Sequence, residues 1–216
     1  MQQITPRWEW RAFGRRFREA EARQATLTPE GAPASDKIYL LCAAGGNVKV
    51  RNALVDIKIL KQVNAQGLEQ WMPIMKAAFP LAAAETAQLF DTLGLAGPSR
   101  SGARCTLDAF IQQFARQGGA IRAVRVHKQR TQHTVGGCMV ELADVTADGK
   151  ATRTVAVGSE DAGAVTHVVR GLGLGGYANT SYPRGLAALI DRAVRCACNR
   201  GRLADRFQSQ ASDRCD

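Results

Sequence analysis

The sequence predicts an α+β fold, in which an antiparallel β-barrel of about eight strands forms a tunnel and helices pack outside it. Polar and apolar residues alternate with period 2 in many short segments, as is typical of strands with two different faces. Turn residues separate consecutive segments, above all the pair Asp148-Gly149, which favours a tight hairpin. Consecutive hairpins indicate one antiparallel sheet that could close on itself.

The strands are predicted from the alternating segments in chain order. They are TPRWEWRAF (5–13), KIYLLCA, the two halves of VKVRNALVDIKILKQV, RAVRVHKQRTQHTV, CMVELADVT and ATRTVAVG, and a further short strand or loop is expected within YANTSYPRGLAALIDRAVRCACN. From Gly67 to the region of Pro80 the alternation is lost, and we expect irregular structure there.

Helices are predicted between and after these strands. They are RRFREAEARQATL, a helix beginning near Pro80, TLDAFIQQFARQG, SEDAGAVTHVVRGLGL and a last helix within YANTSYPRGLAALIDRAVRCACN. Thr106 and Ser159 are expected to be N-caps, because a hydroxyl can accept a hydrogen bond from the first helical turn. We expect the tunnel domain to cover residues 1–195 and residues 196–216 to form a polar tail or linker.

Composition narrows the class of protein. No stretch approaches the roughly 20 apolar residues of a membrane span, and the N-terminal residues lack the apolar region of a secretory signal. We therefore expect a cytoplasmic protein that makes no contact with a membrane. The six cysteines include no Cys-x-x-Cys pair, which favours free thiols. A net charge of +10 favours polyanionic partners.

Several predicted strands carry basic residues on one face, because side chains two positions apart point the same way. The seven cations concerned are Arg7, Arg11, Lys49, Arg51, Lys58, Lys128 and Arg130. A solvated strand face is the simpler reading of any single pair. If the sheet closes, however, the cations converge inside it and need an anion. Triphosphate or polyphosphate suits them, because Arg contacts phosphate bidentately and Lys neutralises it as a point charge.

Acidic residues accompany these cations. Glu9, Glu141 and Glu160 could supply oxygen ligands to a hard divalent ion beside the phosphates, so we expect Mg²⁺ or Mn²⁺ as cofactor.

The series Arg7-x-Glu9-x-Arg11, Lys49-x-Arg51, Lys58, Lys128-x-Arg130 and Glu141 resembles the CYTH superfamily, the triphosphate tunnel metalloenzymes. Their strands carry E-x-E-x-K, R-x-R, T-x-K, K-x-R, E-x-D and E-x-E in that order. The resemblance spans roughly residues 5–190, including a closing Ser181-Tyr182 segment before a helix. It implies a tunnel in which Glu9 and Glu141 are catalytic, holding the metal whose activated water hydrolyses a phosphoanhydride.

A narrower resemblance connects the chain to bacterial proteins described as exopolyphosphatases. It covers DIKILKQVNAQGLEQWMPIMKAAFPL, VRVHKQRTQHTVGGCMVELADV and NTSYPRGLAAL. In those proteins the CYTH-like region often continues into a Ppx/GppA-type phosphatase domain, so the resemblance implies a phosphatase as partner.

The chain departs from the family at its metal-binding positions. Arg7 stands where the family has its first Glu, and Ala156 and Gly158 stand where it has a pair of carboxylates. Two hypotheses therefore remain: a divergent metal-dependent hydrolase of triphosphate or polyphosphate, and a non-catalytic module that binds polyphosphate or a nucleotide for a phosphatase. Nucleic acid is not expected as a partner, because no recognition motif for it is present.

Overall fold

The computed structural model describes residues 5–31, 34–42, 45–96, 104–116 and 121–191, with only the backbone described at 113–116. The predicted tail, residues 196–216, lies outside the described residues, as does the end of the predicted tunnel domain.

Eight strands form one closed antiparallel barrel in the order β1-β5-β4-β3-β2-β6-β7-β8. They are β1 (Arg7–Gly14), β2 (Ala34–Cys42), β3 (Asn47–Arg51), β4 (Leu54–Val63), β5 (Glu69–Ala78), β6 (Ile121–Val135), β7 (Cys138–Ala147) and β8 (Lys150–Ser159). The predicted α+β fold with an eight-stranded antiparallel barrel is confirmed.

Strand β5 occupies the stretch that the sequence predicts to be irregular, and that prediction was wrong. Its residues are apolar on both faces, so period 2 is hidden: Trp71 is buried at 4% exposure, and Ala77 belongs to the core on the other face. Pro73 and two register shifts against β4 interrupt the pattern further. The chain pairs there because β4 lies beside it along its whole length.

Two-residue turns join three of the hairpins and set the register of their strands. Asp148-Gly149 has φ angles of 44° and 79°, which confirms the predicted hairpin between β7 and β8. Gly136-Gly137 connects β6 to β7 with φ angles of 55° and 74°. Such turns match the twist of paired strands, and once register is set every second side chain points into the barrel.

Five helices accompany the barrel within the described ranges of the chain. They are α1 (Arg18–Gln24), α2 (Ala83–Thr92), α3 (Leu107–Arg116), α4 (Ala162–Gly171) and α5, which is helical over 182–191. Thr106 caps α3 as predicted, since its hydroxyl accepts a bond from the backbone N–H of Ala109 at 3.2 Å. The cap of α4 is Asp161 and not Ser159, because Ser159 is still the last residue of β8.

The sequence predicted no membrane span and free cysteine thiols, and both predictions can be compared with the described residues. No helix among them is long and apolar enough to cross a membrane. The described cysteines Cys42, Cys105 and Cys138 are free thiols. The cytoplasmic location stays a prediction.

The outward faces of the strands form the main core under the helices. Val48 and Val50 of β3 and Val55 and Ile57 of β4 are buried in one apolar cluster with residues of α2 and α3. On the other side of the barrel, outward residues of β1, β7 and β8 pack under α4. The apolar outer face predicted for the early strands is therefore present, and it directs the alternate, charged residues inward.

Helix α5 packs differently, because it contacts inward-facing residues. Its Tyr182, Leu186 and Ile190 share a core cluster with residues of β2, β6 and β7, among them Val124 and Val145, which lie in strand phase with Lys128 and Glu141. One half of the barrel interior is thus apolar and covered by α5. The charged half forms a cavity whose inner end is closed.

The segment before α5 bonds to β1 where the pairing between β1 and β5 ends. Strand β1 pairs with β5 over only three residues, Arg7 to Glu9. Beyond that point the backbone N–H of Arg11 donates to the side-chain oxygen of Asn179 at 2.8 Å, and its carbonyl accepts from Thr180 at 2.8 Å. Because Asn179 also donates to the carbonyl of Gly67 at 2.7 Å, it bridges β1 to the turn before β5.

Substituting Gly185 tests this packing of α5. A Cβ atom at Gly185 would overlap the ring of Phe13, an inward-facing residue of β1. We expect Gly185→Ala to lower the free energy of unfolding by about 1–3 kcal/mol, as overpacking of a core does. Urea denaturation measures this, with Gly175→Ala as the control, since nothing lies within 4 Å of a Cβ there. Equal stability of the two variants would contradict the packing described.

Candidate functional site

A cavity of about 180 Å³ lies inside the barrel and is lined mainly by charged residues. They are Arg7, Glu9, Arg11, Lys37, Lys49, Lys58, Lys128, Arg130 and Glu141. The structure therefore brings together six of the seven predicted cations and two of the three predicted carboxylates. Elements far apart in sequence supply them, because inward positions of six strands converge.

Two predicted site residues lie outside the cavity. Arg51 is the last residue of β3, is exposed, and lines a shallow outer groove together with Arg125 and His127. Glu160 is exposed and follows the last residue of β8. Arg51 is at the very end of its strand and Glu160 is one residue past the end of its strand, and neither side chain enters the cavity as strand alternation predicted.

Glu141 is the centre of the charge network. One of its carboxylate oxygens, Oε1, lies 2.5 Å from Nζ of Lys128 and 3.4 Å from Nη1 of Arg11, and the other, Oε2, lies 3.2 Å from Nη1 of Arg130. Burial alone would raise the pKa of Glu141, but the three cations outweigh it and lower the pKa to about 2. Glu141 is therefore ionised and contacted by cations through both oxygens.

Two further lysine–carboxylate pairs lie around the wall. Lys58 contacts Oε1 of Glu9 at 2.7 Å, and Lys49 contacts Asp56 on the neighbouring strand at 2.9 Å. Burial opposes ionisation of Glu9 as well, yet the charge and hydrogen bond of Lys58 hold its pKa below the usual value. Each of these carboxylates thus has a basic partner within the protein.

Lys37 and Tyr39 also line the cavity, although the sequence argument did not select them. The alternation Lys37-x-Tyr39 within β2 was a usable signal, because both positions share the inward face. Burial lowers the pKa of Lys37 to about 8, with further lowering from Lys49, Arg130 and Arg51, while Glu141 opposes the shift.

Two tyrosines form the inner end of the cavity. The ring of Tyr182 lies 4.9 Å from that of Tyr39, between centroids. The guanidinium carbon of Arg11 is 4.7 Å from the Tyr182 ring centroid and Nζ of Lys128 is 5.2 Å from it, both within the range of cation–π attraction. Burial raises the pKa of both phenols, so each hydroxyl keeps its proton and can donate it in a hydrogen bond.

Some polar atoms at the cavity lack a partner within the described residues. Oδ1 of Asn47 and the hydroxyl of Tyr182 are buried without a hydrogen bond there, and both residues line the cavity. Buried polar groups in folded proteins are nearly always bonded to protein, water or ligand. The cavity therefore offers hydrogen-bonding capacity in addition to charge.

The residues present do not fit a bound divalent metal ion. Glu141 and Glu9 are held by cations, and the positions of β8 between them carry Ala156, opposite Glu141 and Arg11, and Gly158, opposite Glu9. The residues that the structure describes contain no group of three His, Cys, Asp or Glu arranged to hold a metal. Because a hard cation needs several oxygen ligands, two engaged carboxylates are a poor site for it.

Comparison with known proteins finds only solved structures of low sequence identity. No family model matches the chain, and no curated protein matches it. Among solved structures it resembles a conserved protein from Pyrococcus furiosus, at 12% identity and a TM-score of 0.48, over 82% of this chain and 98% of that one. It also resembles a protein from Pyrococcus horikoshii OT3, at 16% identity and a TM-score of 0.47, over 82% of this chain and 97% of that one. A third structure is that of a Hippeastrum protein described as having a dominant triphosphatase activity. The identity is 12% and the TM-score 0.46, over 82% of this chain and 92% of that one. We base the assignment of function on the cavity.

The low pKa of Lys37 predicts a pH-dependent stability. Its folded pKa of about 8 lies below the usual lysine pKa of 10.5, so the unfolded chain binds that proton more tightly. We expect the contribution of Lys37 to the free energy of unfolding to rise with pH between about 8 and 10.5. Urea denaturation across this pH range should show a smaller rise in the free energy of unfolding for Lys37→Met than for the wild type. Lys61→Met, which removes an exposed lysine of β4, is the control, and identical curves for all three proteins would contradict the prediction.

Proposed function

We propose that the barrel interior binds the phosphate chain of inorganic triphosphate or polyphosphate, and that the protein is a binding module without hydrolase activity. The observation that carries this proposal is the composition of the cavity wall, where seven cations stand against two carboxylates. Cations held this close repel one another. The binding of a multiply charged anion among them therefore releases more free energy than its contact with a single pair of cations on the surface would.

Three features of the cavity suit a phosphate chain in particular. Arginines of β1 and β6 can each contact phosphate oxygens in pairs, and lysines on several strands can neutralise the chain along its length. The free hydroxyl of Tyr182 adds a neutral donor at the inner end. A cavity of about 180 Å³ accepts a narrow inorganic chain or the triphosphate tail of a nucleotide, and it excludes a base-paired duplex.

Hydrolysis is not part of the proposal, because it would need a metal that the described carboxylates do not fit. A module that holds polyphosphate without cutting it suits a phosphatase as partner. That partner belongs to the proposal and rests on the narrower resemblance of the sequence.

A binding and turnover assay tests the proposed function directly. We expect tripolyphosphate to bind in isothermal titration calorimetry and to release no phosphate above background with Mg²⁺ or Mn²⁺ present. Metal-dependent phosphate release that Glu141→Gln abolishes would contradict the proposal and favour the hydrolase. Absence of binding under all conditions would overturn the assignment of the cavity as a phosphate site.

Two lysines of β4 allow a matched test of the binding site. Lys58 lines the cavity, whereas Lys61 is exposed on the same strand. Because charge-assisted contacts contribute about 1.5–3 kcal/mol, we expect Lys58→Met to weaken tripolyphosphate binding by about ten- to a hundredfold. Lys61→Met removes the same charge from the surface and should change the affinity by less than about threefold. Equal losses for both variants would place the binding site on the exterior.

A further inference from the structure

Resting on the proposed function, we propose that Glu141 and Glu9 are internal counter-ions that a bound phosphate chain displaces. In this arrangement the cavity takes the metal-free polyanion in preference to its complex with a divalent cation. The ligand class is a linear phosphoanhydride anion carrying no metal.

The contacts of Glu141 carry the first step. Its side chain is 6% exposed, and both of its oxygens accept from cations: Lys128 and Arg11 on Oε1 and Arg130 on Oε2. A divalent metal at Glu141 would have to break the 2.5 Å contact with Lys128 and would enter beside three positive charges. A phosphate oxygen, in contrast, makes the same kind of contact with Lys128 and the arginines as the carboxylate does.

The small residues of β8 explain why Arg11 reaches Glu141. Arg11 and Glu141 lie on strands that flank β8, and both are opposite Ala156 in the register. With only a methyl group between them, the guanidinium spans β8 and also donates to Thr154 at 3.4 Å. The space that a carboxylate on β8 would fill is therefore crossed by a cation.

The other lysines of the cavity extend the pattern. Lys58 is neutralised by Glu9 and Lys49 by Asp56, whereas Lys37 has no ion pair among the described residues. Three carboxylates, Glu141, Glu9 and Asp56, thus act as placeholders for negative charge around a wall of seven basic residues, and the basic residues exceed the acidic ones by four. A divalent cation bound to the phosphate chain would neutralise two of the negative charges with which the chain balances the basic residues of the cavity.

Removal of a placeholder should therefore have two opposite effects. Without the Glu141 carboxylate, Lys128, Arg11 and Arg130 face one another unneutralised, and the ligand-free protein loses stability. The phosphate chain no longer competes with a resident carboxylate, so it binds more tightly. A metal ligand would behave in the reverse manner, since its loss weakens metal-assisted binding.

The experiment measures tripolyphosphate affinity by calorimetry, once with EDTA and once with excess Mg²⁺. It compares the wild type with Glu141→Gln, Glu9→Gln and Asp144→Asn. Asp144 is the matched control, because it lies on β7 beside Glu141 but faces outward, is exposed, and pairs with Arg153 at 2.8 Å. Glu9→Gln keeps the test decisive if Glu141→Gln does not fold, since Glu9 is less buried than Glu141.

In EDTA, we expect both glutamine variants to bind tripolyphosphate about tenfold more tightly than the wild type. Each variant lacks one carboxylate that competes with the ligand for the cations. Asp144→Asn should stay within about twofold of the wild type, since an exposed pair contributes little. The wild type should bind about tenfold less tightly in excess Mg²⁺ than in EDTA. The melting temperature of ligand-free Glu141→Gln should be lower, and its rise on adding tripolyphosphate larger, than for the wild type.

The possible failures are distinguishable. Binding that requires Mg²⁺, or that is weaker or unchanged in the folded glutamine variants, would overturn the counter-ion role while leaving phosphate binding intact. Equal tightening in Asp144→Asn would show a general charge effect and would also overturn it. No binding by the wild type in either buffer would instead refute the proposed function.

Discussion

The structure depends on neutralising, from within, the positive charge that its strands direct into the barrel. Alternation sends lysines and arginines of five strands to one interior, and buried charge is strongly destabilising unless it is paired. Glu141 meets this need at the most crowded point, where it contacts Lys128, Arg11 and Arg130 at 6% side-chain exposure. Glu9 and Asp56 do the same nearer the wall, with Lys58 and Lys49. The cations can therefore remain inside a folded protein before any ligand arrives.

The division of the interior follows from that constraint. Where β6 and β7 carry valines and alanines inward, α5 covers them with Leu186 and Ile190. Tyr182 lies at the boundary: its ring packs with the apolar half, while its face receives Arg11 and Lys128. The segment before α5 bonds to the backbone of Arg11, so the element that closes the cavity also holds one of its principal cations in place.

Much of the barrel and most of its lining could be predicted from period 2 together with the turn residues between strands, since Lys49, Lys58, Lys128 and Glu141 all line the cavity as expected. The prediction failed where alternation is not the controlling pattern. Strand β5 is apolar on both faces, and Glu160 follows the end of its strand. Ion pairing was beyond sequence reasoning for a different reason. Arg11 and Glu141 are 130 residues apart and meet across β8, so their contact depends on strand order and register in a closed sheet.

Ala156 and Gly158 place no carboxylate at their positions in the cavity wall, and this limits what the remaining acids can do. In a wall with several acidic neighbours, a glutamate lowers its energy by sharing a metal; in a wall with several basic neighbours, it does so by pairing with them. Here the surroundings of Glu141 are basic, and its pKa near 2 expresses how strongly they favour its charge. In the proposed function, the pairing that stabilises the ligand-free barrel also competes with the phosphate chain. The counter-ion proposal therefore couples folding stability and ligand affinity through one set of contacts, in which a stronger internal pair means weaker binding.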